Sequence, residues 1–143
     1  SVLEECKADT LGIYNLAYLI EKGFYPEELK KTMWPTYLAG MFRSVRFGIK
    51  SAHGGGNAIQ FNYILDKGGF VYDEKTGRFG VNEEKLLGAA RDLAREVLMI
   101  QAKGDYKAAK AFAEKYRVVR PEMAKALKRL EALPVDIKPI YSY

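Results

Sequence analysis

Three carboxylates stand close together near the start of the chain, in the run EECKAD at positions 4–9. On a helix, Glu5 and Asp9 are one turn apart and share a face, whereas Glu4 is rotated from Glu5 by about 100°. Like charges at this spacing repel each other. A bound metal ion would remove the repulsion, because carboxylates are ordinary zinc ligands and also orient histidine ligands. The alternative is an acidic helix N-terminus, which the helix dipole favours without any ligand.

The elements that must position these carboxylates follow from the spacing of the apolar residues. The sequence predicts a mainly α fold, a multi-helix domain with a small antiparallel three-stranded β meander at about 58–81. Its first strand follows from the alternation of Ile59, Phe61, Tyr63 and Leu65 with the residues between them. The predicted helices cover about residues 2–22, 26–33, 35–52, 83–103, 105–116 and 121–132.

The composition is that of one globular domain of 143 residues, with 48% hydrophobic and 29% charged residues. The single cysteine excludes an internal disulfide framework. With a single histidine as well, this chain alone cannot form a complete His- and Cys-rich zinc site. No apolar run is long enough to span a membrane and no signal peptide is visible, so a cytoplasmic location without membrane contact is predicted. Because the chain begins with Ser1, we expect it to be part of a longer protein.

The run at positions 4–9 resembles the E-E-C-R-A-E signature of the dipeptidyl peptidase III family of zinc metallopeptidases. Four of the six residues are identical and the other two are conservative changes. The stretches GMFRSVRFG at 40–48 and AHGGGNA at 52–58 are also similar to this family, notably to the branch fused to Nudix domains in plants and bacteria. The resemblance weakens after about Ala102. It implies that residues 1–143 are a single C-terminal fragment of a metallopeptidase catalytic region.

The family holds its zinc with two histidines of an H-E-x-x-G-H motif and with the second glutamate of the signature. The resemblance therefore implies that Glu5 is the third protein ligand, and that Glu4 and Asp9 hydrogen bond to the two histidine rings. The sequence departs from the family at two positions. Asp9 is one methylene shorter than the usual glutamate, and Lys7 replaces an arginine and lacks its planar fork.

The family's histidine motif lies upstream of the signature and does not occur in this chain. We therefore expect the chain alone to bind no zinc and to be inactive, and the intact parent to be a zinc hydrolase. Its partners would be the missing N-terminal part of the same chain and short peptides that lose N-terminal dipeptides. Surfaces that the missing part normally covers could also favour a homodimer of the fragment. A relative that has lost catalysis stays an open alternative.

Two further residues are candidates for substrate binding. His53 precedes three glycines, which allows two interpretations. It is either a cation at the end of a helix, where the chain turns into the predicted strand, or a hydrogen-bond donor in an active-site cleft. An esterase oxyanion loop is not supported, because no G-x-S-x-G motif occurs. The resemblance places Ala39 where the family has a transition-state-stabilising histidine, so His53 would be a substitute. Arg43 matches an arginine that reaches the cleft and Arg46 is a weaker candidate, although solvated arginines are the commoner case.

The formal charge of +5 leaves a second class of function open, a basic helical binding module for nucleic acid or for an acidic protein partner. Nucleic acid is the less favoured partner, because the basic residues alternate with Glu and Ala, as on a solvated helix face. The basic residues in question are Lys107, Lys110, Lys115, Arg117, Arg120, Lys125, Lys128 and Arg129.

Two other features are predicted to be structural. Cys6 lies in the apolar stripe of the first helix, which favours packing over use as a nucleophile. The tripeptide at 95–97 matches only the start of the Nudix core, because Met99 and Ile100 occupy positions where that core needs acids.

Overall fold

The computed structural model describes residues 1–136 and 139–141, and within them six α-helices and one antiparallel pair of strands form the chain. None of these helices has the length and apolar character needed to cross a membrane. In chain order the elements are α1 (Val2–Glu21), a short 3₁₀ helix (Glu27–Leu29), α2 (Lys30–Val45), α3 (Ala52–Asp66), β1 (Phe70–Asp73), β2 (Arg78–Val81), α4 (Glu83–Ala102), α5 (Tyr106–Tyr116) and α6 (Pro121–Arg129).

Helix α3 forms the centre of the molecule. Every residue from Gly54 to Ile64 is buried, and the helix contacts α1, α2, α4 and α5. The glycines at its start let neighbouring backbone come close. A Cβ atom at Gly56 would lie 3.0 Å from the backbone nitrogen of Cys6, and one at Gly54 would lie 2.3 Å from the carbonyl oxygen of Gly48. The run of glycines therefore sets the distance between α3 and the helix that carries the carboxylates.

The predicted strand at 58–65 is wrong, because these residues continue α3, and the small sheet has two strands and not three. A helix that is buried on all sides needs no polar face, so its apolar residues show no helical period. The two polar residues that gave the appearance of alternation, Gln60 and Asn62, are fully buried and hydrogen bonded. The sequence pattern is therefore that of a buried helix whose polar side chains find hydrogen-bond partners inside the protein.

The predicted helices at 26–33 and 35–52 are also corrected. After the 3₁₀ helix, α2 runs without interruption through Pro35 and ends at Val45. Pro35 removes one backbone hydrogen bond, but the helix buries Trp34 and Leu38 on either side of it, which offsets that loss. The chain then turns at Gly48, whose φ of 94° is in the left-handed region.

The remaining helices agree well with the sequence. The predicted helices at 2–22, 83–103 and 105–116 match α1, α4 and α5 to within one residue at each end. As predicted, Asn82 caps α4, and its side chain accepts from the backbone nitrogen of Lys85. Helix α6 ends at Arg129, earlier than the predicted residue 132. The sequence also predicts an extended tail, bracketed by Pro134 and Pro139, after the last helix. Part of this tail, residues 137–138 and 142–143, lies outside the described residues.

The sheet and two helices enclose an aromatic cluster. Strands β1 and β2 pair antiparallel, with Phe70 opposite Val81. The ring of Phe61 on α3 lies 5.5 Å from that of Phe42 on α2, 6.0 Å from that of Phe70 and 5.4 Å from that of Phe79. These edge and tilted contacts fix α2 and the sheet on the same side of α3.

The start of α6 is held to the end of α3 by a two-point ion pair. Arg120 donates from Nη1 to Oδ1 of Asp66 at 2.6 Å and from Nη2 to Oδ2 at 3.0 Å. Hydrogen bonding from Arg120 lowers the pKa of Asp66, so the pair stabilises the fold above the unfolded-state pKa of a carboxyl and is lost as pH falls through the folded-state value.

This ion pair leads us to expect a pH-dependent loss of stability in an Arg120→Met variant. Because the pair is partly exposed, removing it should destabilise α6 by about 1 kcal/mol at pH 7. The destabilisation should be much smaller at pH 2, because the pair is lost as pH falls through the lowered pKa of Asp66. Hydrogen exchange at the α6 amides, measured at both pH values, checks this. An equal destabilisation at pH 7 and pH 2 would contradict it.

Candidate active site

The three carboxylates of positions 4–9 lie in the first turns of α1 but have different surroundings. Glu4 accepts from Nζ of Lys7 at 2.6 Å and from Nε2 of Gln101, on α4, at 2.8 Å. The hydrogen bond from Lys7 and then that from Gln101 lower the pKa of Glu4. Glu4 therefore faces α4, whereas Glu5 and Asp9 face α3.

Glu5 contacts the only histidine of the chain. Nδ1 of His53 lies 3.0 Å from Oε2 of Glu5, with the glutamate side chain 30% exposed and the histidine 74% exposed. Oγ of Ser51 caps α3 by accepting from the backbone nitrogen of Gly54 at 3.1 Å. His53 is thus in the first turn of α3, so its predicted position at the end of a helix is wrong.

Asp9 is held by two amide side chains of α3. Its Oδ2 oxygen accepts from Nδ2 of Asn57 at 3.1 Å and from Nε2 of Gln60 at 3.2 Å. The hydroxyl of Tyr37, on α2, donates to Oε1 of Gln60 at 2.6 Å. Burial raises the pKa of Tyr37 far above its usual value, so the phenol is a neutral donor. The network joins α1, α2 and α3 at the carboxylate.

An open groove of about 1100 Å³ runs between α1 and α2 and reaches the start of α3. Asp9, Arg43 and His53 all line it, together with Asn57 and the aliphatic side chains of α1. Glu5 is not part of the lining, but its contact with His53 places it at the groove's edge. The structure therefore brings Asp9, Arg43 and His53 to one surface. Their roles in binding stay predictions.

Arg43 lies on α2, with its guanidinium carbon 5.7 Å from the ring centroid of Phe47. This cation–π contact steadies the arginine at the groove. Arg46 is directed elsewhere, because its guanidinium donates to the carbonyl oxygens of Leu130 and Leu133 at the end of α6. Ala39 does not line the groove but a neighbouring hollow of about 410 Å³, which also touches Arg43.

Cys6 is fully buried, and burial raises the pKa of its thiol to about 12. A thiol with such a pKa is not a nucleophile at neutral pH, which agrees with the predicted packing role.

Sequence reasoning missed Asn57, Gln60 and Tyr37 as parts of the site. The available signal was the presence of two amide residues inside a strongly apolar run, because buried amides need hydrogen-bond partners. The predicted strand placed Gln60 on an outward face and so hid this signal.

The described residues contain no group of three or more His, Cys, Asp or Glu side chains that could hold a metal ion. Glu5 and Asp9 therefore present two carboxylates to the groove and its edge without a complete set of metal donors from the described part of this chain.

Comparison with known proteins identifies similar chains, although no family model matches. The chain is 43% identical over 143 residues to "Nudix hydrolase 3" of Arabidopsis thaliana, covering 99% of this chain and 18% of that protein. It superposes on DPP III from Caldithrix abyssi with a TM-score of 0.95 and 53% identity, and on dipeptidyl-peptidase III from a Corallococcus strain with a TM-score of 0.93 and 42% identity. Both comparisons cover 97% of this chain and 26% of the solved one.

In sequence and in fold, the chain is thus dipeptidyl peptidase III-like. It spans about a quarter of the solved relatives and less than a fifth of the Arabidopsis protein.

Proposed function

We propose that this chain supplies one wall of the active site of a dipeptidyl peptidase III-like zinc peptidase, with Glu5 as a zinc ligand. In this proposal Glu4 and Asp9 accept hydrogen bonds from histidine ligands that lie outside the chain. Arg43 and His53 bind the peptide substrate in the groove.

The observation that carries the proposal is the convergence of Glu5, Asp9 and His53 at the end of the large groove. Glu5 and Asp9 come from the run that resembles the family's zinc signature. They lie one turn apart on α1 and are linked through α3, because Asn57 donates both to Asp9 and to the carbonyl oxygen of His53. An acidic helix N-terminus alone would not require these partners from a second helix.

The donor set fits a zinc ion that is only partly held by this chain. A catalytic zinc takes three protein ligands and keeps one open position, and a carboxylate is a normal member of the set. Glu5 can offer its Oε1 oxygen to the metal, since the 3.0 Å contact with His53 is made through Oε2. In this proposal the other ligands come from outside residues 1–136 and 139–141, which contain no group of three potential ligands.

When bound, zinc supplies an activated water and polarises the peptide carbonyl. The residues of this chain have separate tasks. Glu5 provides negative charge at the metal position, and the His53 ring keeps that carboxylate oriented. The guanidinium fork of Arg43 suits a peptide carboxylate or carbonyl in the groove. The substrate class that follows is short peptides, which would lose N-terminal dipeptides.

The basic alternative is less well supported by the geometry. Among the described basic residues of α5 and α6, Arg120 pairs with Asp66, and Arg129 donates to the carbonyl oxygen of Gly77 at 2.6 Å. Lys110 lies 3.8 Å from Glu114. These contacts hold three of the eight basic residues within the fold, which leaves fewer of them for phosphates. The name of the Arabidopsis relative refers to a Nudix activity, and we assign that activity to a different part of such proteins.

Release of dipeptides by the longer protein that contains this chain tests the proposal. Chromogenic dipeptide substrates should be cleaved by the zinc-loaded protein, and chelation should abolish the cleavage. Arg43→Lys should raise KM, because the planar fork is lost while the charge stays. Zinc-independent cleavage, or zinc binding with no cleavage of any peptide, would overturn the assigned reaction.

A further inference from the structure

The amide side chains of α3 have a function beyond packing. We propose that Asn57 and Gln60 are positioning residues, which fix the Asp9 carboxylate so that its Oδ1 oxygen stays available to a histidine N–H at the zinc site. The inference rests on the proposed function and deepens it.

Both amides bond to the same carboxylate oxygen. Asn57 and Gln60 donate to Oδ2 of Asp9 at 3.1 and 3.2 Å, and no donor of the described residues bonds to Oδ1. Asp9 lines the groove, so its carboxylate is accessible to a partner there. Within this chain, Oδ2 of Asp9 therefore accepts two hydrogen bonds, and Oδ1 is left for a donor from outside the chain.

The orientation of each amide is fixed by its second bond. Asn57 also donates to the carbonyl oxygen of His53 at 3.0 Å, and Gln60 also donates to that of Gly56 at 3.1 Å. A carbonyl oxygen only accepts, so a flipped amide would set two acceptors against each other at both of its contacts. The nitrogen atoms must face Asp9.

A hydrogen bond to its side-chain oxygen further fixes Gln60. It is fully buried, and its remaining oxygen accepts the short 2.6 Å bond from Tyr37. Asn57 is 7% exposed. Buried amides whose donors are all used cannot turn without losing bonds that water does not replace, so they hold the carboxylate firmly.

This arrangement also explains how a short side chain can serve at position 9. An aspartate reaches less far than a glutamate, so its direction matters more. The two amides fix that direction from α3, and the position of α3 against α1 is fixed by the close approach at Gly56.

The test compares two buried asparagines of the same helix in the intact protein. Asn57→Leu should weaken zinc binding about five- to tenfold, below the 10–100-fold typical of removing a group bonded directly to a ligand. Asn62→Leu is the matched control, because Asn62 donates at 2.8 Å to the carbonyls of Tyr116 and Val118, away from the groove. It should lower the thermal midpoint of the metal-free protein and leave zinc affinity unchanged. Competition with a chelator measures the affinity.

A second variant separates the loss of the hydrogen-bond donor from the change in side-chain shape. Asn57→Asp keeps the size of the side chain but replaces the donor by an acceptor beside Asp9, so it should weaken zinc binding at least as much as leucine does. Wild-type zinc affinity in both Asn57 variants, with zinc loss in Glu5→Ala, would overturn this inference alone. Unchanged zinc affinity in Glu5→Ala would instead overturn the proposed function.

Discussion

Replacement of Glu5 by alanine is expected to release zinc from the intact protein and to abolish peptide cleavage. The loss of affinity should exceed the roughly 100-fold that marks removal of a group that only supports a ligand. The physical reason is that Glu5 provides both a donor atom and a negative charge where the cation is held. His53, 3.0 Å away, would also lose its carboxylate partner. Metal analysis after gel filtration, with dipeptide release measured in parallel, checks both effects.

Two variants control this experiment. Glu21→Ala removes an exposed carboxylate at the far end of the same helix and should change neither zinc content nor activity. Glu5→Gln keeps the shape and removes the charge, so it should also lose zinc. Stoichiometric zinc in both Glu5 variants would show that the signature is only structural in this protein.

The second large effect is expected from Gly54→Ala. The added Cβ would lie 2.3 Å from the carbonyl oxygen of Gly48 and 2.9 Å from Oγ of Ser51, the residue that caps α3. A backbone oxygen cannot move aside as a side chain can, so the start of α3 must shift. We expect about 3 kcal/mol of destabilisation, the upper end of the range for overpacking, despite the higher helix propensity of alanine. Native-state hydrogen exchange at the α3 amides measures it.

Gly88→Ala is the matched control, since Gly88 also lies within a helix but has open space around its Cβ position. This change should stabilise α4 by about 0.5–1 kcal/mol. If Gly54→Ala were as stable as the wild type, the close contact of α3 with the preceding turn would be refuted.

The amphipathic helices could be predicted from the sequence because their partners lie on one side. Helices α1, α4 and α5 have apolar stripes and clear ends, and the caps Asn82 and Asp105 mark two of their starts. Helix α3 could not be recognised in this way. It is surrounded by other helices, so periodicity is absent, and its three glycines are typical of a turn when the contacts are unknown.

Part of the site could also be predicted. The spacing of Glu5 and Asp9 placed both on one helical face, and their resemblance to a known signature suggested the metal. The hydrogen-bond partners of Asp9 could not be predicted, because Asn57 and Gln60 are 48 and 51 residues away in the sequence. Asn57 also lay in the predicted turn before the strand, and Gln60 lay within the predicted strand. The same error placed His53 at the end of a helix, whereas it lies in the first turn of α3. A prediction that α3 begins at this point would have been enough to bring His53 close to the carboxylates.

The most direct test of the central claim is anomalous diffraction at the zinc edge from crystals of the intact protein. We expect a zinc ion about 2.0–2.2 Å from one carboxylate oxygen of Glu5, with two histidines from outside this chain completing its protein ligands. Asp9 should bond to one of those histidine rings through Oδ1 while Asn57 and Gln60 hold Oδ2. A zinc ion bound elsewhere, or one held here without Glu5, would contradict the account.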